Sequence, residues 1–305
     1  MDLVPAGPEL FEAAPGGSPA NVAVSVARLG APVRMLARLG DDPFGRRLRA
    51  HLADNGIDLS LVVAAREPSS LAIVSLGADG VAEYDFRVDG TADWQWTDDE
   101  LADVLRGEVL AVHSGSLALT MPPGAAALRR LMRRAQSQAT VSYDPNVRPL
   151  LMGSPDDVRR SVEQLLPHVD VVKASADDVA WLLPGRAVED VVADWLAAGP
   201  SLVAVTLGPD GVVAAGRKAA MVRRPGQPVD VVDTVGAGDS FTGAILAGLH
   251  RRGLLGAGRR DALAAIGVQP LGELLDEAVR VSAWTCTRRG ADPPTAAELG
   301  LSPRS

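Results

Sequence analysis

Residues 229–250 read VDVVDTVGAGDSFTGAILAGLH and join two apolar segments through a glycine-rich turn. The apolar run at 229–232 predicts a strand, and residues 240–250 carry apolar side chains at helical spacing. Where such a turn leads from a strand into a helix, the backbone N–H groups of residues 236–239 point outwards, with the positive end of the helix dipole behind them. The stretch therefore predicts an anion-binding site. A plain strand-to-helix connection, in which the glycines serve tight packing, is the alternative.

Asp239 stands at the start of this helix, where its charge would repel a bound anion. It could be an N-cap residue, which is a common structural role for aspartate. Phosphoryl transfer offers a chemical role: N–H groups stabilise the negative charge on the moving group, and a neighbouring aspartate takes the proton from the attacking hydroxyl. The two features must be adjacent because they act on two ends of one in-line reaction. The arrangement is typical of an alcohol-phosphorylating enzyme.

From about residue 108 the chain alternates short apolar runs with helical patterns of about 10 to 15 residues, which predicts βαβ units and a mostly parallel sheet. Five of the apolar runs lie at 109–112, 141–143, 169–173, 202–207 and 229–232. A polar residue ends or follows each run, in order His113, Asp144, Lys173, Thr206 and Asp233. Because ligands bind at the carboxyl ends of strands in open α/β sheets, we expect a polar cleft across these five ends.

The N-terminal part of the chain follows another pattern. Residues 16–21 (GGSPAN) lead into an apolar helix that ends at Gly30. Residues 69–88 hold two β-rich runs on either side of 78–80, and their partial alternation predicts a hairpin in a two-faced antiparallel sheet. We therefore expect a small β layer at 3–16 and 65–92, beside an α/β core at 17–64 and 93–305.

Composition argues against several classes of protein. The 305 residues carry a net charge of −8 and are 47% hydrophobic, which allows a sizeable core and speaks against a nucleic-acid partner. No run reaches about 18 apolar residues and no signal peptide is present, so we expect no membrane association. The single Cys286 permits no internal disulfide and fits a cytoplasmic protein. The signatures of Walker-type NTPases, Rossmann dinucleotide sites and α/β-hydrolases are absent.

Two segments resemble the paired signatures of the ribokinase-like (PfkB-type) sugar kinase family. DTVGAGDSFTGAIL is similar to its C-terminal signature, and GGSPANVAVSVARLG followed by RLGDDPFG is similar to its N-terminal one. YDPNVRPLL, VVKASADDVAWL, VTLGPDGVV and TRRGADPP resemble further family blocks in the family's order, over nearly the whole chain. The resemblance implies a three-layer α/β/α sandwich with a mostly parallel central sheet and a small β-sheet lid. It also implies ATP-dependent phosphorylation of a sugar hydroxyl.

The resemblance further implies which residues act on the sugar and the transferred group. The catalytic base would be Asp239. The anion hole would be formed by Gly236, Ala237 and Gly238. The sugar hydroxyls would be bound by Asp2, Gly17 and Asn21. Arg148 would steer an anionic substrate or the transferring phosphate. Without the resemblance, Asn21 could equally be the N-cap of its helix.

Other matching positions imply binding of ATP and of cations. The nucleotide would be bound by Lys173, Ser175, Thr206, Gly208 and Gly211. Asp178 would act on Mg²⁺ through water. The family often has Asn and Glu at these two positions, where this chain has the shorter Ser175 and Asp178. A K⁺ site would be formed by Asp233, Val235 and Gly290, with Asp233 as a plain turn residue as the alternative.

The segments HSGSLAL, YDPNVRP and DGTADWQW look most like those of bacterial fructokinases. Kinases of 2-keto-3-deoxygluconate share the D-x-N-x-R pattern and are the alternative within the class. A catalytically silent sugar- or nucleotide-binding protein is the alternative outside it. In relatives the lids often pair, so a homodimer through the lid is expected.

The chain departs from the family pattern at its N-terminus. Family members usually place an apolar strand before the position of Asp2, and here Met1 directly precedes it. Loss of a central strand would leave neighbouring strands with unpaired backbone groups. The hypothesis that follows is that the native start lies upstream and that Met1 is an internal methionine.

Overall fold

The computed structural model of the protein describes residues 1–7, 10–76 and 82–301. Its strands are β1 (Asp2–Gly7), β2 (Leu10–Ala14), β3 (Ala37–Gly40), β4 (Val62–Ala65), β5 (Leu71–Leu76), β6 (Ala82–Arg87), β7 (Ala111–Gly115), β8 (Thr140–Asp144), β9 (Val171–Ser175), β10 (Leu202–Thr206), β11 (Val212–Gly216) and β12 (Val222–Arg224). Its helices are α1 (Ser18–Arg28), α2 (Pro43–Asp54), α3 (Ala125–Ala135), α4 (Pro149–Met152), α5 (Pro155–Leu165), α6 (Ala176–Leu182), α7 (Val188–Ala198), α8 (Ala237–Arg251), α9 (Arg260–Ala264) and α10 (Val268–Cys286). The predicted hairpin turn at 78–80 lies outside the described residues.

Six strands form the central sheet in the order β12-β11-β10-β9-β8-β7. The four strands β7 to β10 are parallel, and β11 and β12 extend the sheet in antiparallel fashion. Parallel neighbours need a crossover connection, which the intervening helices provide. The carboxyl ends of the four parallel strands therefore meet at one edge of the sheet. That edge carries Gly115, Asp144, Ser175 and Thr206.

Both faces of the central sheet are covered by helices. On β9, Val172 and Ala174 belong to the core shared with α3, α5, α6 and α7, whereas Val171 belongs to the core shared with α8 and α10. A strand that is buried on both faces reads as a continuous apolar run, as these strands do. The predicted three-layer α/β/α sandwich with a mostly parallel sheet is confirmed.

A second, smaller sheet has the strand order β2-β1-β5-β6. β1 pairs antiparallel with β2 and parallel with β5, and β5 pairs antiparallel with β6. This sheet confirms the predicted small β layer, while the residue limits given for core and lid stay a prediction. Within the described sheets, β7 has β8 as its one neighbour, and β3 pairs with β4 as a separate parallel pair.

The strand predicted at 229–232 is wrong. Val231 and Val232 are 63% and 64% exposed, and β12 already forms the sheet edge that precedes them in the chain. Pro228 directly precedes the segment, and proline cannot donate to a sheet ladder. The Val232 N–H donates instead to the carbonyl of Cys286 at 2.8 Å. The predicted polar cleft therefore rests on four strand ends, and Asp233 lies on a loop. His113 and Lys173, which the sequence predicts at strand ends, lie two residues inside β7 and β9.

Helix α1 crosses α8 closely enough to place their N-terminal residues together. The two helices are in close contact at Gly243, where a Cβ would lie 2.5 Å from the Cβ of Ser25. Ser25, which is fully buried, donates to the carbonyl of Ser240 at 3.2 Å. Among residues 1–7, 10–76 and 82–301, no helix combines the length and apolar character needed to cross a membrane.

Candidate active site

Asp239 is the residue on which three elements converge. Its Oδ1 accepts from the Ser18 hydroxyl at 2.6 Å, and its Oδ2 accepts from the Asn21 amide at 2.8 Å. The Asn146 amide donates to Ser18 Oγ at 2.8 Å and to Asp239 Oδ1 at 3.3 Å. Asp239 is 7% exposed. Its carboxylate is therefore oriented by α1 and by the loop after β8, and it is not a freely moving surface acid.

The N-cap of α8 is Gly236 and not Asp239. Gly236 has φ +77°, and no side chain caps the helix. A Cβ at this position would lie 2.5 Å from the Cβ of Ala291, so both conformation and space require glycine. Asp239 lies inside the first turn of the helix. The alternative that Asp239 serves as an N-cap is wrong.

The turn before α8 has free backbone donors. The Ala237 N–H donates to the Thr234 carbonyl at 3.2 Å, and the Ser240 N–H donates to the Gly236 carbonyl at 2.8 Å. The N–H groups of Gly236, Gly238 and Asp239 have no hydrogen-bond partner in the described part of the chain. Free N–H groups at the positive end of a 15-residue helix are suited to bind an anion.

A buried ion pair lies beside this turn. Lys173 Nζ is 3.0 Å from Asp144 Oδ2, and the two residues are 5% and 0% exposed. Burial raises the pKa of Asp144 to about 6, with Lys173 opposing the shift and the charges of Asp178 and Asp239 adding to it. Burial alone would lower the pKa of Lys173, but the three carboxylates outweigh it and the pKa is raised. The pair is thus the centre of a buried group of charges.

Asp178 and Ser175 form the start of α6. The Ser175 hydroxyl accepts from the Asp178 N–H at 3.0 Å, and Asp178 Oδ2 accepts from both the N–H and the hydroxyl of Ser175 at 2.7 Å. This is a capping box. Asp178 Oδ1 accepts from the Val147 N–H at 2.7 Å. Both carboxylate oxygens therefore hold the protein's own backbone in place.

The end of β10 brings the predicted nucleotide residues close to Ser175. Thr206 is paired with Ser175 in the parallel register, and its hydroxyl donates to the Ala174 carbonyl at 3.3 Å. Gly208 and Gly211 follow with φ of +59° and +94°. Because both glycines have left-handed backbone, this loop reverses tightly into β11.

Asp2 lies near the same centre from the second sheet. A Cβ on Gly16 would lie 2.7 Å from Asp2 Cγ, so the carboxyl group packs against that backbone. Burial raises the pKa of Asp2. The N-terminus and Arg148 lower it, and the charge of Asp239 raises it further. Arg148 donates to Asn146 Oδ1 at 2.6 Å. The predicted substrate residues Asp2 and Arg148 therefore face one region.

The N-cap of α1 is Gly17, whose φ is +109°, and not Asn21. The Asn21 N–H donates to the Gly17 carbonyl at 3.0 Å, which places Asn21 inside the helix. The alternative that Asn21 caps its helix is therefore wrong, and its side chain is free to hold Asp239.

The predicted K⁺ residues also come together. Asp233 accepts from the Val235 N–H at 3.0 Å and from the Gly290 N–H at 2.8 Å. These bonds fit the turn-forming role of Asp233. Among the described residues, no three His, Cys, Asp or Glu side chains are arranged to hold a metal ion.

Sequence reasoning missed two members of the site, Ser18 and Asn146, as site residues. Asn146 was visible as a polar residue after a strand, and its φ of +36° matches the tolerance of asparagine for left-handed backbone. Ser18 gave no signal beyond its place in GGSPAN. Its contact with Asp239 spans 221 residues, so pattern could not show it.

The family model for pfkB family carbohydrate kinases matches residues 7–297. The chain belongs to the pfkB carbohydrate kinase family. It is 37% identical over 98% of its length to fructokinase-1 of Oryza sativa subsp. japonica, covering 93% of that protein. It is 36% identical to a fructokinase of Klebsiella pneumoniae, with 83% of each chain covered.

Solved structures of this family agree with the fold. A fructokinase with bound ATP from Xylella fastidiosa aligns with a TM-score of 0.87 at 29% identity, over 98% of this chain and 94% of that one. A fructokinase from Vibrio cholerae O395 in a form with fructose, ADP and calcium aligns with a TM-score of 0.80 at 27% identity, over 98% and 95%. The ribokinase-like fold and the expected carbohydrate kinase activity are thereby confirmed.

Proposed function

We propose that this pfkB-family kinase transfers the γ-phosphoryl group of ATP to a hydroxyl of fructose. The observation that carries the proposal is the placement of Asp239 beside the free N–H groups of Gly236 and Gly238. A base and an anion hole in contact suit the two ends of one phosphoryl transfer. Fructose is favoured because the relatives quoted above are fructokinases, one of which has been solved with fructose and ADP.

In the proposed mechanism Asp239 accepts the proton from the attacking sugar hydroxyl. Ser18, Asn21 and Asn146 donate to its two oxygens and hold the carboxylate in one orientation. The free amides of Gly236 and Gly238 stabilise the negative charge that develops on the transferring group. The Ala237 N–H already donates to the Thr234 carbonyl, and its part in the anion hole stays a prediction.

The proposed sugar site lies beside Asp239. Asp2, Gly17 and Asn21 would bind sugar hydroxyls, and Arg148 would lie toward the transferring phosphate. Asn21 would serve two purposes, since its amide nitrogen donates to Asp239 and its amide oxygen can accept from a hydroxyl. The raised pKa of Asp2 suits a buried carboxyl that gains hydroxyl donors when a sugar binds.

ATP would lie across the ends of β9 and β10, where Thr206 is paired with Ser175 in the sheet register. Gly208 and Gly211 follow in the loop after β10, and Lys173 lies two residues before Ser175 on β9. Bound Mg²⁺ would neutralise charge on the phosphates. Asp178 fits a contact through water, because both its oxygens already accept from the chain. The segment of Asp233, Val235 and Gly290 is compact enough to offer carbonyl oxygens to K⁺.

The assembly and location of the enzyme are also proposals. The second sheet, with the limits 3–16 and 65–92, would close over the sugar and exclude water. Phe11 is 55% exposed on its edge strand β2, which supports a homodimer through the lid. A single cysteine fits a cytoplasmic enzyme.

A coupled ADP-release assay over a sugar panel tests the function. We expect turnover with fructose. Turnover confined to 2-keto-3-deoxygluconate would replace fructose by that substrate, and ligand binding without any turnover would indicate a catalytically silent protein.

The base is tested with Asp239→Asn. The variant removes the proton acceptor and turns an amide donor toward donors such as Asn21, so kcat should fall by about 10²-fold or more. ATP binding, measured by calorimetry, should persist. Asp276→Asn, which changes an exposed carboxylate on α10, is the control and should keep wild-type turnover. Near-normal turnover of Asp239→Asn would remove Asp239 as the base.

A further inference from the structure

The ion pair of Lys173 and Asp144 is buried, and the free-energy cost of burying its two charges has no explanation so far in the site. Both residues are almost fully buried, and taking two charges out of water costs several kcal/mol per ion before their attraction repays it. Exchange of such a pair for apolar residues is often neutral or stabilising. Stability alone therefore does not account for an ion pair at this position.

Lys173 lies directly against the turn that offers the free amides. A Cβ on Gly238 would be 2.9 Å from Lys173 Nζ, so the ammonium occupies the space that any side chain at 238 would need. The N–H of Gly238 is one of the free donors. The ammonium group of Lys173 therefore lies directly beside the proposed anion hole.

Asp144 connects the same pair to Asp239. Its Oδ1 accepts from the N–H of Asn146 at 3.1 Å, and Asn146 in turn donates to Asp239 and to Ser18. Thr242 of α8 lies between Asp144 and the glycine-rich turn. Its hydroxyl is 3.5 Å from Asp144 Oδ2 and 3.1 Å from the Gly238 carbonyl. The pair therefore contacts both the turn and the residue that orients the base.

The charges around Lys173 are mainly negative. The carboxylates of Asp144, Asp178 and Asp239 raise its pKa, so it stays charged despite burial. On strand β7, His113 is hydrogen-bonded to Ser142 of the neighbouring strand β8 at 3.0 Å. Burial and the charge of Lys173 lower the pKa of this imidazole to about 4. Near neutral pH the ring carries no charge, so positive charge at this place comes from Lys173.

We propose that Lys173 is a positioning residue for phosphoryl transfer, held by Asp144 against Gly238. Its ammonium keeps the free amides of the turn in place and supplies positive charge where negative charge collects in the transition state. The inference rests on the proposed role of this turn. It predicts that Lys173 acts on kcat and not on the affinity for either substrate, and it takes the place of the direct contact with the nucleotide that the family resemblance implies for Lys173.

The test removes both charges together, so that no buried ion is left unpaired. The double variant Lys173→Met/Asp144→Asn should fold with a Tm near that of the wild type and bind ADP normally in calorimetry. Its KM values for ATP and fructose should be near wild type, while kcat falls by about 10²-fold.

A second ion pair, between the start of α9 and the residue before β9, provides the control. Arg260 Nε lies 2.7 Å from Asp170 Oδ1, and Asp170 precedes β9 at the opposite edge of the sheet. The double variant Arg260→Met/Asp170→Asn should keep wild-type kcat. Equal loss of kcat in both double variants would show a general effect of removing an ion pair and would overturn the inference.

A chemical rescue adds a readout that a structural role would not change. Lys173→Ala should lose kcat and regain part of it with ethylammonium but not with tetramethylammonium, which is too large and donates no hydrogen bond. If Lys173→Ala loses affinity for ADP and keeps its kcat, or keeps both, the inference is overturned. The proposed function then still stands, provided that the wild type phosphorylates fructose. A wild type that phosphorylates no sugar would overturn both.

Discussion

The crossing of α1 and α8 decides whether the base meets its partners, and Gly243 is the residue that permits the crossing. A Cβ at 243 would lie 2.5 Å from Ser25 Cβ and 3.2 Å from the Val22 carbonyl. Ser18 and Asn21, which hold Asp239, stand at the N-terminal end of the same helix α1. We therefore predict that Gly243→Ala impairs catalysis at a distance.

The magnitude follows from the required displacement. Carbon atoms in contact prefer about 3.5 to 4.0 Å, so Gly243→Ala must separate the helices by about 1 Å. Overpacking of this kind costs about 1–3 kcal/mol, and alanine regains about 1 kcal/mol through its helix propensity. The free energy of unfolding should therefore fall by no more than about 2 kcal/mol. A misplacement of 1 Å at a reacting group can cost about 10²-fold in rate, so kcat should fall by that factor.

The assay compares kcat with urea denaturation for Gly243→Ala, Ser25→Gly and the double variant. Ser25→Gly removes the Cβ and the hydroxyl that the new methyl group would meet, so the glycine is moved from one helix to the other. We expect the double variant to regain most of the kcat lost by Gly243→Ala. The reasoning is refuted if Gly243→Ala keeps wild-type kcat, or if Ser25→Gly restores nothing.

Two further predictions concern pH and the glycine loop. The pKa of His113 is lowered to about 4 by burial and by Lys173, whereas the unfolded chain takes up the proton near pH 6.5, so stability is present above that pH and is lost on acidification. The contribution of His113 is the difference between the wild type and His113→Gln in urea denaturation, since Asp144 also titrates in this range. Because the ring is not fully enclosed, this difference should fall by about 1–2 kcal/mol between pH 7.5 and 5. Gly211→Ala should lose about 3 kcal/mol because its Cβ would lie 2.5 Å from the Gly226 nitrogen, whereas Gly208→Ala, which also has a positive φ but open space around its Cβ, should lose about 1 kcal/mol. Equal losses in these two loop variants would contradict the steric argument.

Local pattern predicted much of the fold, because each strand of the parallel sheet is buried on both faces and each helix on one. Val172 and Ala174 lie in an apolar run for that reason. The same rule failed at 229–232, where Val231 and Val232 are exposed and a proline precedes them. A short apolar run therefore does not by itself predict a buried strand.

The amino-acid sequence by itself determined the family, the α/β sandwich and the chemistry that suits a glycine-rich turn beside Asp239. These follow from residues that are neighbours in the chain, where turn geometry and side-chain spacing are local. Only the tertiary structure decided what Asp239 is bonded to. It placed Ser18, Asn21 and Asn146 on its carboxylate, and Lys173 with Asp144 against Gly238. These partners are separated by tens to hundreds of residues, and their contacts depend on how strands and helices pack.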